Sequence, residues 1–222
     1  SGMRTADDLI ERSAERVLKE FEADPAAAAP VLHMFGEIYF LLNNYTAAET
    51  LLSALVLSED PDIAPDLRAM ASHDLATVLF RQGKGEQARP LYEQAAAYWN
   101  TQPERYQDEI LAGFILEAQL LNSEGFNDAA IARLQSALPR RLSLSGSANM
   151  DTASLYNSLG AAYYRAGRTE DALSAFSAAR DGFIALERLD SPDGLNVTNN
   201  LASLFHVSGQ YEQALEAYQQ TA

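Results

Sequence analysis

Residues able to carry chemistry are few in this chain. Histidine occurs three times, as His33, His73 and His206, and cysteine does not occur. No two histidines stand four apart, the spacing that would set two imidazoles on one helix face for a metal. The lack of thiols removes thiolate metal sites, cysteine nucleophiles and disulfide staples. Carboxylates are plentiful, but Asp7-Asp8, Asp108-Glu109 and Glu170-Asp171 are sequence neighbours, and neighbours on a helix diverge. There is no glycine-rich loop between strand and helix, no His-Glu-x-x-His and no glycine-flanked nucleophilic serine. The chain is therefore expected to have no catalytic residues, no cofactor and no metal. It reads as a non-enzyme, and any catalytic domain would lie outside it.

Charge narrows the partners further. Thirty-one acidic residues against 16 basic ones give a net charge of -15, which repels the phosphate that a nucleic-acid binder or an anionic membrane presents. The only tight basic pair is Arg140-Arg141. No apolar run approaches the roughly 20 residues that span a bilayer. The start lacks a signal-peptide pattern, so a cytoplasmic location is expected. Ser1 and Gly2 ahead of Met3 look like the scar of a removed tag, so a native leader could have been trimmed. The end at Ala222, on what reads as an unfinished helix, leads us to expect a fragment of a longer protein.

The elements that must position the remaining side chains are repeated. Glycines stand at Gly83, Gly125, Gly167 and Gly209, each 42 residues after the last, and each is followed five residues later by Ala88, Ala130, Ala172 or Ala214. The same step carries Tyr92 to Leu134, Phe176 and Tyr218, and Leu79 to Leu121, Tyr163 and Phe205. A fifth copy, offset by 40, contributes Gly36, Tyr39, Asn43, Ala48 and Leu52.

Each unit reads as helix, turn, helix. In the fourth, Tyr156, Leu159, Gly160 and Tyr163 share a face at helical spacing, and Ala172, Phe176 and Ala179 form a second stripe beyond Gly167. Gly160 and Ala172 are small enough to let the paired helices approach, and glycine in the turn takes the left-handed conformation that ends the first helix. Pro25, Pro65 and Pro192 mark the starts of first helices, with Ser191 as an N-cap. Such a pair cannot bury its apolar faces alone and must stack on neighbours.

The expected fold is all-α, a right-handed superhelical solenoid of five helix pairs. Its repeats fall near 25–64, 65–106, 107–148, 149–190 and 191–222. Residues 3–24 form a capping helix, with Leu9, Ile10, Val17, Leu18 and Phe21 on one side. The serine-rich stretch from Pro139 to Asp151 is expected to be the longest linker.

Ser191-Pro192-Asp193, Asn199-Asn200-Leu201-Ala202, Gly209-Gln210-Tyr211-Glu212 and Ala214 resemble the long tetratricopeptide unit of kinesin light chains and their bacterial relatives. Gln82-Gly83-Lys84 with Leu91-Tyr92-Glu93-Gln94-Ala95, and Asp60-Pro61-Asp62, repeat the resemblance. It covers roughly residues 25 to 222. Departures are Asn43 in place of a turn glycine and Glu117 where the family has leucine. Glu117 would point into the helix pair, and the expectation is that a local rotation returns it to water.

The resemblance implies that first helices line a concave groove. Its inward positions would be His33, His73, Ile115, Asn157 and Asn199, then Glu37, Thr77, Gln119, Ala161 and Ser203, then Phe40, Phe80, Asn122, Tyr164 and His206, with Arg81 and Arg165 one position later. Asn157, Asn199 and Asn200 offer amides that pair with a peptide backbone of any sequence, or else simply face solvent. Phe40, Phe80 and Tyr164 would be anchors, or would pack on the next repeat. Arg81 and Arg165 would grip a carboxylate, or be solvated or paired with nearby acids. His33 and His73 share a repeat position and could face one another across neighbouring helices. Chaperone-type clamps for a terminal carboxylate use lysines and arginines where this chain has histidine, isoleucine and asparagine.

The function expected is a scaffold that binds a peptide or partner domain in the groove, through Asn157, Asn199, Asn200, Ser203, Tyr164, Arg165, Gln119, Asn122, His73, Arg81 and Phe80. The alternative is a sensor or regulatory module whose output domain lies outside the segment. Self-association through the terminal repeat, at Leu215 and Tyr218, is a further possibility.

Overall fold

A computed structural model describes residues 6–219, with side chains from residue 12, and every regular element among them is an α-helix. Helix α1 (Ala6–Ala23) precedes five pairs: α2 (Pro25–Leu41) with α3 (Tyr45–Leu57), α4 (Pro65–Arg81) with α5 (Gly85–Trp99), α6 (Gln107–Ser123) with α7 (Asn127–Ser145), α8 (Met150–Arg165) with α9 (Thr169–Ala185), and α10 (Pro192–Val207) with α11 (Tyr211–Gln219). The chain divides into two compact units, Ser1–Gly113 and Phe114–Ala222, with the boundary inside α6. In the first, each helix from α1 to α5 packs on the next. In the second, α7 through α11 do the same.

Helix α1 lies on α2 and buries Ala14, Val17 and Phe21. Leu9 and Ile10 of its expected stripe fall outside the described side chains.

Local chemistry fixes the helix starts. The Asp24 side chain accepts from the Ala27 N–H ahead of Pro25, and Ser191 Oγ accepts from the Gly194 N–H at 3.2 Å ahead of Pro192. Pro65 opens α4 without a side-chain cap. The turns inside the pairs repeat one pattern. The N–H of Gly83 bonds the Phe80 carbonyl and that of Lys84 bonds Leu79, and equivalent bonds hold the turns at Gly125, Gly167 and Gly209. All four glycines have φ between 73° and 88°, the left-handed region. Asn43 takes the same role in the first pair with φ 57°.

Small residues let the helices of a pair meet. A Cβ placed on Gly160 would stand 2.6 Å from the Phe176 ring, and one on Gly36 would stand 2.6 Å from Leu52. The equivalent positions in the other pairs are Ala76, Ala118 and Ala202, all buried. The alanine after each turn is buried as well, at Ala48, Ala88, Ala130, Ala172 and Ala214.

Two expectations are corrected. Pro139–Asp151 is not a linker, because α7 continues through Pro139 to Ser145. Leu134, Ala137 and Arg141 recur at helical spacing on its buried face, and that packing outweighs the one backbone bond proline removes. Arg141 is 3% exposed and ion-paired with Asp151, so the Arg140-Arg141 pair is not a basic patch. Glu117, in turn, does not rotate to water. Its carboxylate is held by Arg133, with Nε 2.6 Å from Oε2 and Nη2 donating to Oε1 at 2.9 Å, while the guanidinium lies over the Phe114 ring at 4.3 Å.

Candidate functional site

In the first unit the polar centre is built on α2 and α4, which touch directly. His33 projects from α2 into the interface and is 5% exposed, so it is buried rather than presented on an open face. Its Nε2 lies 2.7 Å from Oδ2 of Asp74 on α4. The other Asp74 oxygen, Oδ1, lies 3.2 Å from His73 Nδ1. The two histidines thus do not face one another; each bonds the carboxylate between them. Burial pushes the His33 imidazole down, but the Asp74 hydrogen bond and the charges of Asp74 and Glu37 outweigh it, and its pKa is raised. Burial pushes the Asp74 carboxyl up, the two histidine bonds outweigh this, and its pKa is lowered.

His73 also packs on Trp99, with ring centroids 5.4 Å apart, and its Nε2 is buried without a hydrogen-bond partner. Phe80 and Phe40 are half-buried, and Phe40 stacks at 5.8 Å against Tyr45 of its own pair. Arg81 is exposed at the end of α4. A cavity of about 250 Å³ opens beside this centre, lined by Gly36, Glu37, Phe40, Leu52, Asp74 and Thr77 among others.

In the second unit the polar side chains sit on α8 and α10, neighbouring first helices in contact. Asn200 Nδ2 donates to Asn157 Oδ1 across the two helices at 3.0 Å, and to Asn196 Oδ1 one turn earlier at 3.2 Å. This fixes both amide planes while the Asn157 NH₂ and the Asn200 carbonyl keep capacity for a further partner. Asn199 and Ser203 are exposed, with Ser203 Oγ 3.4 Å from the Tyr218 hydroxyl. Tyr164 is 47% exposed and Arg165 is exposed beside it. Gln119 and Asn122 are half-buried on α6, and Asn122 Oδ1 is buried with no donor. Leu215 and Tyr218 on α11 are exposed.

Sequence reasoning missed Asp74 and Asn196. The signal for Asn196 was its place four residues before Asn200 on one helix face. Asp74 follows His73 directly in sequence yet reaches His33 on α2, a contact between helices that local spacing does not reveal.

The architecture defines a helical repeat protein built from small-residue-packed pairs with left-handed turns. The chain belongs to the tetratricopeptide repeat family: family models described as tetratricopeptide repeat match residues 109–185, 151–222 and 68–100. The fold is similar to that of BtubC (BKLC) from P. vanneervenii, with TM-score 0.73 and 20% identity over 98% of this chain and 90% of that one. It is also similar to the putative kinesin light chain TPR-like repeats from Podosopora anserina, with TM-score 0.64 and 20% identity over 86% of this chain and 92% of that one. A third similar structure is the Rap conjugation gene regulator of plasmid pLS20 in complex with a Phr peptide. Its TM-score is 0.74 and its identity 19%, over 100% of this chain and 57% of that one. No curated protein matches the chain. No described helix is long and apolar enough to cross a membrane.

Proposed function

We infer that the chain is a non-catalytic protein-interaction scaffold that holds an extended peptide on its first-helix faces. The observation that carries this reading is the Asn157–Asn200–Asn196 amide ladder across α8 and α10. Amides fixed in this way offer a donor and an acceptor at set positions, which suits a peptide backbone and demands little of the peptide's sequence. Exposed Asn199, Ser203, Tyr164 and Arg165 belong to the same two helices and would add a side-chain contact, a ring and a cation. Gln119 and Asn122 extend the set on α6. In the first unit Arg81 and Phe80 are the groups offered, while His73, engaged with Asp74 and Trp99, contributes by holding α4. A net charge of -15 favours a basic or neutral peptide over an acidic one. The cytoplasmic location expected from the sequence is kept as part of this reading.

The regulatory alternative, in which a ligand on the repeats controls an output domain outside the segment, is favoured by one observation. The Rap regulator, described with a bound peptide, has a similar fold and a longer chain.

The test is selection of short peptides from a displayed random library on the whole chain, followed by hydrogen-exchange mapping of a selected peptide. Protection concentrated on α8 and α10 is the expected result. Protection confined to α3, α5, α9 or other second helices would overturn the assignment of the face.

A further inference from the structure

We propose that His33, Glu37 and Asp74 form a binding site for one divalent transition cation of the zinc class. One ligand atom from each of the three lies within 4.8 Å of the others. His33 and Glu37 are four residues apart on α2 and so share a face, and Asp74 comes from the adjoining first helix α4. A cation there would be chelated by two consecutive helix pairs.

The donor set selects the class of metal. One imidazole nitrogen with two carboxylates matches the nitrogen and oxygen ligands of zinc sites, whereas magnesium and calcium favour all-oxygen shells. Two ligands on one such cation stand roughly 3 to 3.5 Å apart, given bonds of about 2.1 Å and angles between square and tetrahedral. The 2.7 Å separation of His33 Nε2 and Asp74 Oδ2 needs to open by under about one ångström, which a small rotation of the carboxylate supplies. The proton they share leaves to solvent as the metal takes its place.

Two further observations fit a metal site. His73 bonds the second Asp74 oxygen at 3.2 Å and so positions the carboxylate, as outer groups do around metal ligands. The cavity of about 250 Å³ is lined by both Glu37 and Asp74, which leaves room for water or a ligand oxygen in the fourth position. Glu37 is exposed and His33 buried, so the cation would enter from the cavity side.

The chain carries its own reporter. Trp99 is the sole tryptophan, and its ring lies against His73, one hydrogen bond away from Asp74. The experiment is titration of the chelator-treated full chain with Zn²⁺, followed by calorimetry and by Trp99 fluorescence, with Mg²⁺ in parallel. The expected result is a single saturable Zn²⁺ event with a fluorescence change and none with Mg²⁺, and an affinity at least about tenfold weaker in Glu37→Gln and in Asp74→Asn. Glu86→Gln, an exposed acid on α5, should leave it unchanged. Glu37 is on the surface, so its variant keeps the test valid should Asp74→Asn fail to fold. Absence of saturation, or affinity unchanged in Glu37→Gln, would overturn the proposal and place any bound zinc on scattered surface carboxylates.

Discussion

Asp74 Oδ2 lies 2.7 Å from His33 Nε2, a bond that ties the first helix of one pair to the first helix of the next. The consequence is a pH-dependent contribution to stability in metal-free protein. The raised pKa of His33 means that its charged-state contribution is complete below about pH 6.5 and is lost as pH rises through the folded value. The lowered pKa of Asp74 means that its contribution is present above about pH 4 and is lost as pH falls through the folded value. The pair therefore stabilises most between about pH 4 and 6.5. Glu37 and His73 stand beside it and add to the same field. Asp74→Asn should cost about 2 kcal/mol in that window, with the difference from wild type shrinking as pH rises through the folded value of His33. Urea unfolding across pH, with chelator present, measures it; a difference constant with pH would refute the ionic account.

Gly160 and Phe176 make the second prediction. A methyl group at Gly160 would stand 2.6 Å from the ring, so Gly160→Ala should destabilise by about 1–3 kcal/mol through overpacking. Gly167→Ala meets no atom within 4 Å but is held at φ 73°, and should cost about 1 kcal/mol through backbone strain alone. Thermal denaturation should also show that trimming Phe176 to Leu partly rescues the first variant and not the second.

The Glu117–Arg133 pair gives a third. Leucine at 117, the residue type of the related repeats, should lose about 1 kcal/mol on its own because Arg133 keeps its charge without the carboxylate. Leucine at both positions should restore most of the loss, since a half-buried pair is replaceable by apolar packing. A double-mutant cycle in denaturant reads the coupling, and additive losses would show that the two side chains do not act together.

Much of the fold is legible in the sequence because its signals are local and repeated. The turn glycines demand a positive φ, prolines open first helices without losing a bond, and alanines recur where helices cross. Pro139 shows where such reading stops. Serine, glycine and proline together look like a loop, but burial of Ala137 and Arg141 holds the stretch in α7. Contacts that cross between helices are less visible. The bond from Asp74 to His33 and that from Asn200 to Asn157 join residues 41 and 43 apart. Helical spacing identifies the face of each residue but not the rotamer that turns one toward the other. Glu117 is a case of the same kind, since its partner Arg133 comes from the second helix of the pair.

Peptide capture by the amide ladder can be measured by calorimetric titration of a selected peptide. Wild type should be compared with the combined Asn157→Ala, Asn199→Ala and Asn200→Ala variant, with Glu86→Gln as a surface control. Binding should be weakened at least about tenfold in the asparagine variant, a loss of about 1.4 kcal/mol or more, with helicity retained. Equal affinity in the folded asparagine variant would contradict it.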